Sequence, residues 1–269
     1  MTEYLTLPTG RIAYDVTGEG PLVVMAPGMG DVRGAYRFVV PELVAAGYRV
    51  AVFDIRGHGD SSTDWDAYTT SAVGGDYAAL IRHLGGGPAI VVGQSFTPDS
   101  AVHAAAEAPE LVAGLVLIAP FAAPPRLNPL LKAASALVTR VPALWGMFYT
   151  SLYKGPKPAD FKPYVSALKA NLRRPHGTRA LVAMGDPATK DSAAQRAQVE
   201  QPALVVMGTK DTDFPDPAAE AEQFAGDLAG PTRIAMIEGA GHYPHAQYPA
   251  ETTAAILAFL AQTAKAARG

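Results

Sequence analysis

Apolar and polar positions follow two periods along this chain. Tyr4–Leu7 and Arg11–Val16 alternate residue by residue, with Pro8-Thr9-Gly10 between them, which predicts an antiparallel hairpin. Leu22–Met25 is a continuous apolar run, as in parallel strands covered on both faces. Ala35–Ala46 has helical spacing and is closed by Gly47, and Arg49–Phe53 predicts the next strand. The alternation continues with a helix over Thr70–Leu84, a strand over Ala89–Val92, a helix over Pro98–Ala108 and a strand over Leu115–Ala119. Pro120 to Gln201 interrupts it, with helical stretches, many prolines and no strand. It resumes in Ala203–Met207, Asp216–Leu228, Arg233–Ile237 and Ala250–Ala264. The expected fold class is α/β, a doubly wound, mostly parallel sheet with helices on both faces. Residues 1–120 and 202–269 are expected to form the core, and 121–201 an inserted helical lid.

Composition narrows the classes of function. A chain of 269 residues suits a single α/β domain, and 49% hydrophobic residues suffice for a full core. A net charge of −3 without any run of basic residues gives no nucleic-acid footprint. Cysteine is absent, which excludes disulfides, thiolate metal sites and thiol catalysis and fits a cytoplasmic protein. The first residues lack the basic and apolar regions of a signal peptide, and no 18-residue uncharged apolar run is present to span a membrane.

The most informative segment is Val91-Val92-Gly93-Gln94-Ser95-Phe96-Thr97-Pro98. A strand runs into Gly-x-Ser and then a helix, the layout of a nucleophile elbow. Strand and helix nearly touch in such a turn, so small residues are needed two positions either side of the serine. Gly93 meets that need, whereas Thr97 stands where glycine is usual. Pro98 falls at the helix start, where it costs nothing. An attacking serine requires a base, and the base an acid to orient it. Loops after later strands offer both: Gly208-Thr209-Lys210-Asp211-Thr212-Asp213-Phe214-Pro215 and Glu238-Gly239-Ala240-Gly241-His242-Tyr243-Pro244-His245. Asp211 and Asp213 compete as the acid, and His242 and His245 as the base.

Taken together these segments resemble the α/β-hydrolase superfamily, over nearly the whole chain. Asp54-Ile55-Arg56-Gly57-His58-Gly59-Asp60-Ser61 matches its turn after an early strand, Gly-x-x-Asp-x-x-x-Pro its acid loop, and Gly239–His242 its histidine loop. The resemblance selects Ser95, Asp211 and His242 as the triad. It implies an oxyanion hole from the backbone amides of Phe96 and Met29, the latter in Ala26-Pro27-Gly28-Met29-Gly30-Asp31. Relatives commonly carry His-Gly at the head of that loop; here Pro27 replaces the histidine. Asp54 and Arg56 are expected to hold the neighbouring loop, His58 to pack in it, and His103 to sit on the helix after Ser95.

The expected reaction is hydrolysis of a carboxylic ester, thioester or lactone through an acyl-enzyme, on a small apolar to amphipathic substrate. Neither metal nor organic cofactor is implied, and Ser95 argues against the epoxide and haloalkane chemistry of relatives with an aspartate nucleophile. Trp145, Phe148 and Tyr149, with Tyr153, Phe161 and Tyr164, either line the substrate pocket or pack the lid; the first three are taken as substrate contacts. A receptor built on the same scaffold, and a lyase, cyclase or perhydrolase using the same triad, remain open alternatives. Gly28-x-Gly30 also resembles the start of a dinucleotide fingerprint, but Arg33 stands where the third glycine is required.

Overall fold

The computed structural model describes residues 1–123, 128–186 and 192–266. The strands are β1 (Glu3–Leu7), β2 (Gly10–Thr17), β3 (Leu22–Ala26), β4 (Arg49–Phe53), β5 (Ala89–Gln94), β6 (Val112–Ile118), β7 (Ala203–Gly208) and β8 (Thr232–Ile237). They form one sheet in the order β1-β2-β4-β3-β5-β6-β7-β8. β1 and β2 are the expected hairpin, with β2 antiparallel to β4, and the other pairings are parallel. The fold is that of an α/β hydrolase.

The helices are α1 (Val40–Ala45), α2 (Thr70–Leu84), α3 (Thr97–Glu107), α4 (Pro129–Arg140), α5 (Pro142–Ser151), α6 (Phe161–Leu172), α7 (Arg179–Met184), α8 (Ala193–Arg196), α9 (Pro217–Asp227), α10 (Pro244–Gln247) and α11 (Pro249–Ala266). Successive strand residues point to opposite faces. Val24, Val91, Leu115 and Val205 face a core shared with Tyr77, Val102 and Phe224 of α2, α3 and α9. Val23, Val92, Val116 and Val206 face a second core with Leu43 of α1 and Ile256 and Phe259 of α11. Both faces are covered, which explains the unbroken apolar strands.

One expected helix is shorter than its pattern suggested. Ala35–Ala46 divides into a 3-10 turn, Arg33–Tyr36, and α1. Pro41 has no amide to continue the ladder and so sits in the first turn of a new helix. Between β6 and β7 the described residues contain helices α4–α8 and no strand. Residues 124–127 and 187–191 of the expected insertion, and 267–269 of the expected core, lie outside the described residues.

Strand register positions the site. Ala26 pairs with Gly93, so the loop after β3 and the turn after β5 emerge side by side. Gly208 pairs with Ile237, which sets the loops after β7 and β8 next to each other in the same way. From β3 the chain winds outward to β4, then returns to place β5 on the other side. This is the switch point at which such sheets bind ligands.

Candidate active site

Ser95 follows β5 at a backbone φ of 60°, a conformation that non-glycine residues seldom adopt. Its amide donates to the Ile118 carbonyl at 2.9 Å, pinning the turn to β6. The close approach of strand and helix falls on Gly93, where a Cβ would meet the backbone carbonyl of Thr97 at 2.5 Å. Thr97 therefore needs no glycine. Its side chain is fully buried, and Oγ1 accepts the Gln94 amide at 2.8 Å and reaches the Ala26 carbonyl at 3.0 Å. The hydroxyl ties β5, α3 and β3 together, and α3 begins one residue earlier than Pro98.

The candidate base is His242. Nδ1 lies 2.7 Å from Oδ2 of Asp211 and 3.6 Å from Oδ2 of Asp213, so only Asp211 is within hydrogen-bond reach. Asp211 is held in turn: its Oδ1 accepts the Asp213 amide at 3.0 Å. The imidazole is buried among Phe121, Phe214 and Tyr243, with ring centroids 6.1, 6.3 and 5.2 Å away. Its backbone amide donates to the Leu152 carbonyl just after α5. His245 lies elsewhere, packed at a tilt against Tyr36 with ring centroids 5.0 Å apart, where burial lowers its pKa to about 3. Among the described residues, Asp211, Asp213 and His242 are the one group of three or more histidine and carboxylate side chains with ligand atoms close together, within 4.8 Å. A cation there would displace the His242–Asp211 hydrogen bond.

The loop after β3 has four consecutive amides. Gly28 N–H donates to Oε1 of Gln94 at 3.1 Å, Gly30 N–H to Nε2 of His58 at 2.8 Å, and Asp31 N–H to the Gly28 carbonyl at 3.2 Å. Met29 N–H is the remaining one, and among the described residues neither a side chain nor a carbonyl outside regular elements accepts it. The same holds for Phe96 N–H. Two of these supports were not foreseen. Gln94 is buried, and its Nε2 also donates to the His242 carbonyl at 3.3 Å, so one side chain joins this loop to the histidine loop. The clue to Gln94 is its place as the x of Gly-x-Ser, the last residue of β5. His58, expected only to pack, holds Gly30 in place; burial lowers its pKa to about 4 and keeps Nε2 an acceptor.

Asp54 and Arg56 brace this end of the sheet. Asp54 accepts the amides of Arg33 and Asp60 at 2.7 and 2.9 Å and pairs with the Arg33 guanidinium. Arg56 forms a two-pronged pair with Asp76 at 2.7 and 2.8 Å. His103 is on α3, buried, 3.7 Å from Glu107.

Ser95 and His242 open into one cavity of about 560 Å³, walled by Met29, Phe121, Leu131, Val138, Trp145 and Phe148, with Thr212 and Asp213 among its polar lining. Trp145 and Phe148 thus stand where a substrate contact was expected. Tyr149 does not line the cavity. Its hydroxyl is taken by Asp31 at 2.9 Å, and its ring joins Tyr153, Phe161, Tyr164 and Tyr243 in a separate cluster. Helical spacing put Tyr149 near Trp145, but a buried phenol goes where an acceptor waits.

The sheet order, the strained turn at Ser95 and the adjoining acid and histidine loops define an α/β hydrolase. The chain belongs to the alpha/beta hydrolase family, whose model matches residues 23–256. It is 32% identical over 98% of its length to part of the polyketide synthase ThaQ of Burkholderia thailandensis. It is 28% identical to 2-(acetamidomethylene)succinate hydrolase of Mesorhizobium japonicum over 93% of this chain and 92% of that one. Among solved structures it resembles a thermophilic esterase from Thermogutta terrifontis, with a TM-score of 0.81, 25% identity, and 98% and 99% of the two chains covered. Two of the curated relatives extend well beyond the shared part, which makes up 13% and 42% of their lengths. Among the described residues no helix is long and apolar enough to cross a membrane.

Proposed function

We propose that this chain is a serine hydrolase acting on a carboxylic ester, thioester or lactone through an acyl-enzyme. The observation that carries the reading is the His242–Asp211 hydrogen bond of 2.7 Å, in a cavity that also receives Ser95 from its strained turn. Ser95 Oγ attacks the carbonyl carbon while His242 Nε2 takes its proton. Asp211 keeps Nδ1–H pointed at itself and stabilises the imidazolium. The carbonyl oxygen becomes an oxyanion facing the amides of Met29 and Phe96. Collapse breaks the bond to the leaving group, which takes the proton from His242. Water then attacks the acyl-serine with His242 again as base, releasing the acid and restoring Ser95.

The helices between β6 and β7 act as a lid, residues 121–201 over a core of 1–120 and 202–269. The apolar walls supplied by Val138, Trp145 and Phe148 suit an uncharged acyl chain. Similarity to an esterase over nearly the full chain supports the same reading.

The test is a fluorophosphonate probe read by intact mass, with hydrolysis run in labelled water. One adduct per chain on the wild type, none on Ser95→Ala, and one solvent oxygen in the acid product are expected. An adduct that persists on Ser95→Ala removes Ser95 from the role. A product lacking solvent oxygen assigns the site to lyase or cyclase chemistry.

A further inference from the structure

The lid does more than cover the cavity: it grips the loop that carries Met29. Asp31, two residues beyond Met29, is buried to 1% exposure and turned toward the lid. Its Oδ2 accepts the hydroxyl of Tyr149 on α5 at 2.9 Å. Its Oδ1 accepts the hydroxyl of Tyr164 on α6 and the Val32 amide, the latter at 2.8 Å. One residue earlier, the Gly30 carbonyl accepts the indole N–H of Trp145 at 3.3 Å. The Trp145 ring fills the place where a side chain at Gly30 would project, 2.2 Å from such a Cβ. From the core side, Gln94 and His58 hold the Gly28 and Gly30 amides. Met29 is therefore fixed between neighbours that are clamped from above and below.

A carboxylate is the group this arrangement needs. Three donors converge on Asp31, and an ionised carboxylate has acceptor sites for all of them, whereas a neutral acid or an amide turns one of its ends into a donor. Among the described residues no cation pairs with it. Arg37 acts from further away and is itself paired with Asp160 at 2.6 and 2.8 Å. Tyr153 bonds Tyr149 rather than Asp31, at 3.1 Å, and Tyr243 closes the cluster from the histidine loop. Burying a carboxylate among tyrosines is costly compared with apolar packing, and burial pushes its pKa up to about 6. What the arrangement gains is a defined position for the loop, because charge-assisted hydrogen bonds are short and directional.

We propose that Asp31 is a positioning residue: with Tyr149 and Tyr164 it latches the lid to the oxyanion loop and so sets the Met29 amide against the reacting carbonyl. The proposal rests on the serine-hydrolase reading above. Its consequence is that the oxyanion hole is complete only with the lid down. Lifting α5 and α6 for substrate entry or product release breaks both phenol–carboxylate bonds and slackens the hole, which couples lid closure to catalysis.

The test compares wild type, Asp31→Asn, the double variant Tyr149→Phe with Tyr164→Phe, and Tyr153→Phe. Each is assayed on p-nitrophenyl hexanoate and with butylboronic acid, whose boron becomes a tetrahedral anion on an active serine. In the double variant and in Asp31→Asn, kcat falls about tenfold or more from displacement of the Met29 amide. KM stays within about threefold, and the boronate Ki rises in proportion to the loss in kcat/KM, a split that lowered stability alone does not produce. Tyr153→Phe spares the contacts of Asp31 and keeps kcat within about twofold. Unchanged kcat and Ki in a folded double variant overturn the latch, as does an equal loss in Tyr153→Phe. Should the double variant not fold, the two single phenylalanine variants carry the same readouts. Wild type that takes no fluorophosphonate adduct refutes the hydrolase reading instead, so the two failures are distinguishable.

Discussion

His58 accepts the Gly30 amide through Nε2 at 2.8 Å, while its Nδ1 lies 2.9 Å from the Arg56 carbonyl. The two contacts fix one neutral tautomer, with the proton on Nδ1 and a lone pair on Nε2. His58 thus supports the loop that carries Met29 from the loop after β4. The histidine that relatives place at the head of this loop is here Pro27, which has no side-chain hydrogen bond to give.

This tautomer makes a stability prediction with a definite sign. His58 takes up a proton near 6.5 when unfolded but only near 4 when folded, so its contribution is present above pH 6.5 and is lost as pH falls toward 4. The span corresponds to about 3 kcal/mol. His245 acts in the same direction down to about pH 3. Asp31 acts in the opposite direction, stabilising below its ordinary 3.8 and losing that contribution as pH rises through about 6. Comparison with His58→Gln isolates the His58 part. The variant is less stable than wild type at pH 7.5, and the gap narrows by up to about 3 kcal/mol at pH 4, where wild type bears the cost of a neutral imidazole. Denaturant unfolding at both pH values checks this; an equal gap at the two contradicts a neutral, depressed His58.

Asp211 and Asp213 are separated by their distances to His242, 2.7 and 3.6 Å. Asp211→Asn is expected to lower kcat by about 10⁴ through the wrong imidazole tautomer. Asp213→Asn, at the cavity wall, is expected to lower it by less than about tenfold. Steady-state kinetics on one ester decide the ranking, and the reverse order transfers the acid role to Asp213.

Thr97→Gly is expected to destabilise rather than relax the turn. It removes the hydroxyl that accepts the Gln94 amide and reaches the Ala26 carbonyl. The loss is about 2–3 kcal/mol, from an orphaned buried amide and the added backbone freedom of glycine. Thr97→Ser keeps the hydroxyl and loses about 1 kcal/mol, one buried methyl. Turnover per folded molecule stays within about tenfold in both, because Ser95 remains pinned through its amide to Ile118. Melting curves and active-site titration check this; a glycine variant as stable as wild type removes the structural role of the hydroxyl.

The apolar cavity sets a chain-length dependence. From acetate to hexanoate, each methylene buried against Val138 and Trp145 adds about 0.8 kcal/mol, about fourfold in kcat/KM. Val138→Phe shortens the cavity, and the gain should end two or so carbons earlier. A flat profile in wild type, or an unchanged one in Val138→Phe, places the acyl chain elsewhere.

Much of the fold is local in origin, and the sequence determined it. Alternation in Tyr4–Leu7 and Arg11–Val16 marks the antiparallel hairpin, and unbroken runs such as Leu22–Met25 mark strands covered on both faces. Ser95, Asp211 and His242 could be named as candidates for the same reason: each follows a strand end in a loop with its own glycine or proline punctuation. Local pattern was already less reliable at Ala35–Ala46, where the missing amide of Pro41 outweighed helical spacing. The supports of the site were decided by tertiary structure alone. Gln94 meets His242 across 148 positions, and Tyr149 and Tyr164 meet Asp31 across 118 and 133. Those partners are set by strand register and by how α5 and α6 lie over the loop after β3. Helical spacing states which side chains share a face; it carries no information about the acceptor beyond that face, and a buried polar group is positioned by its acceptor.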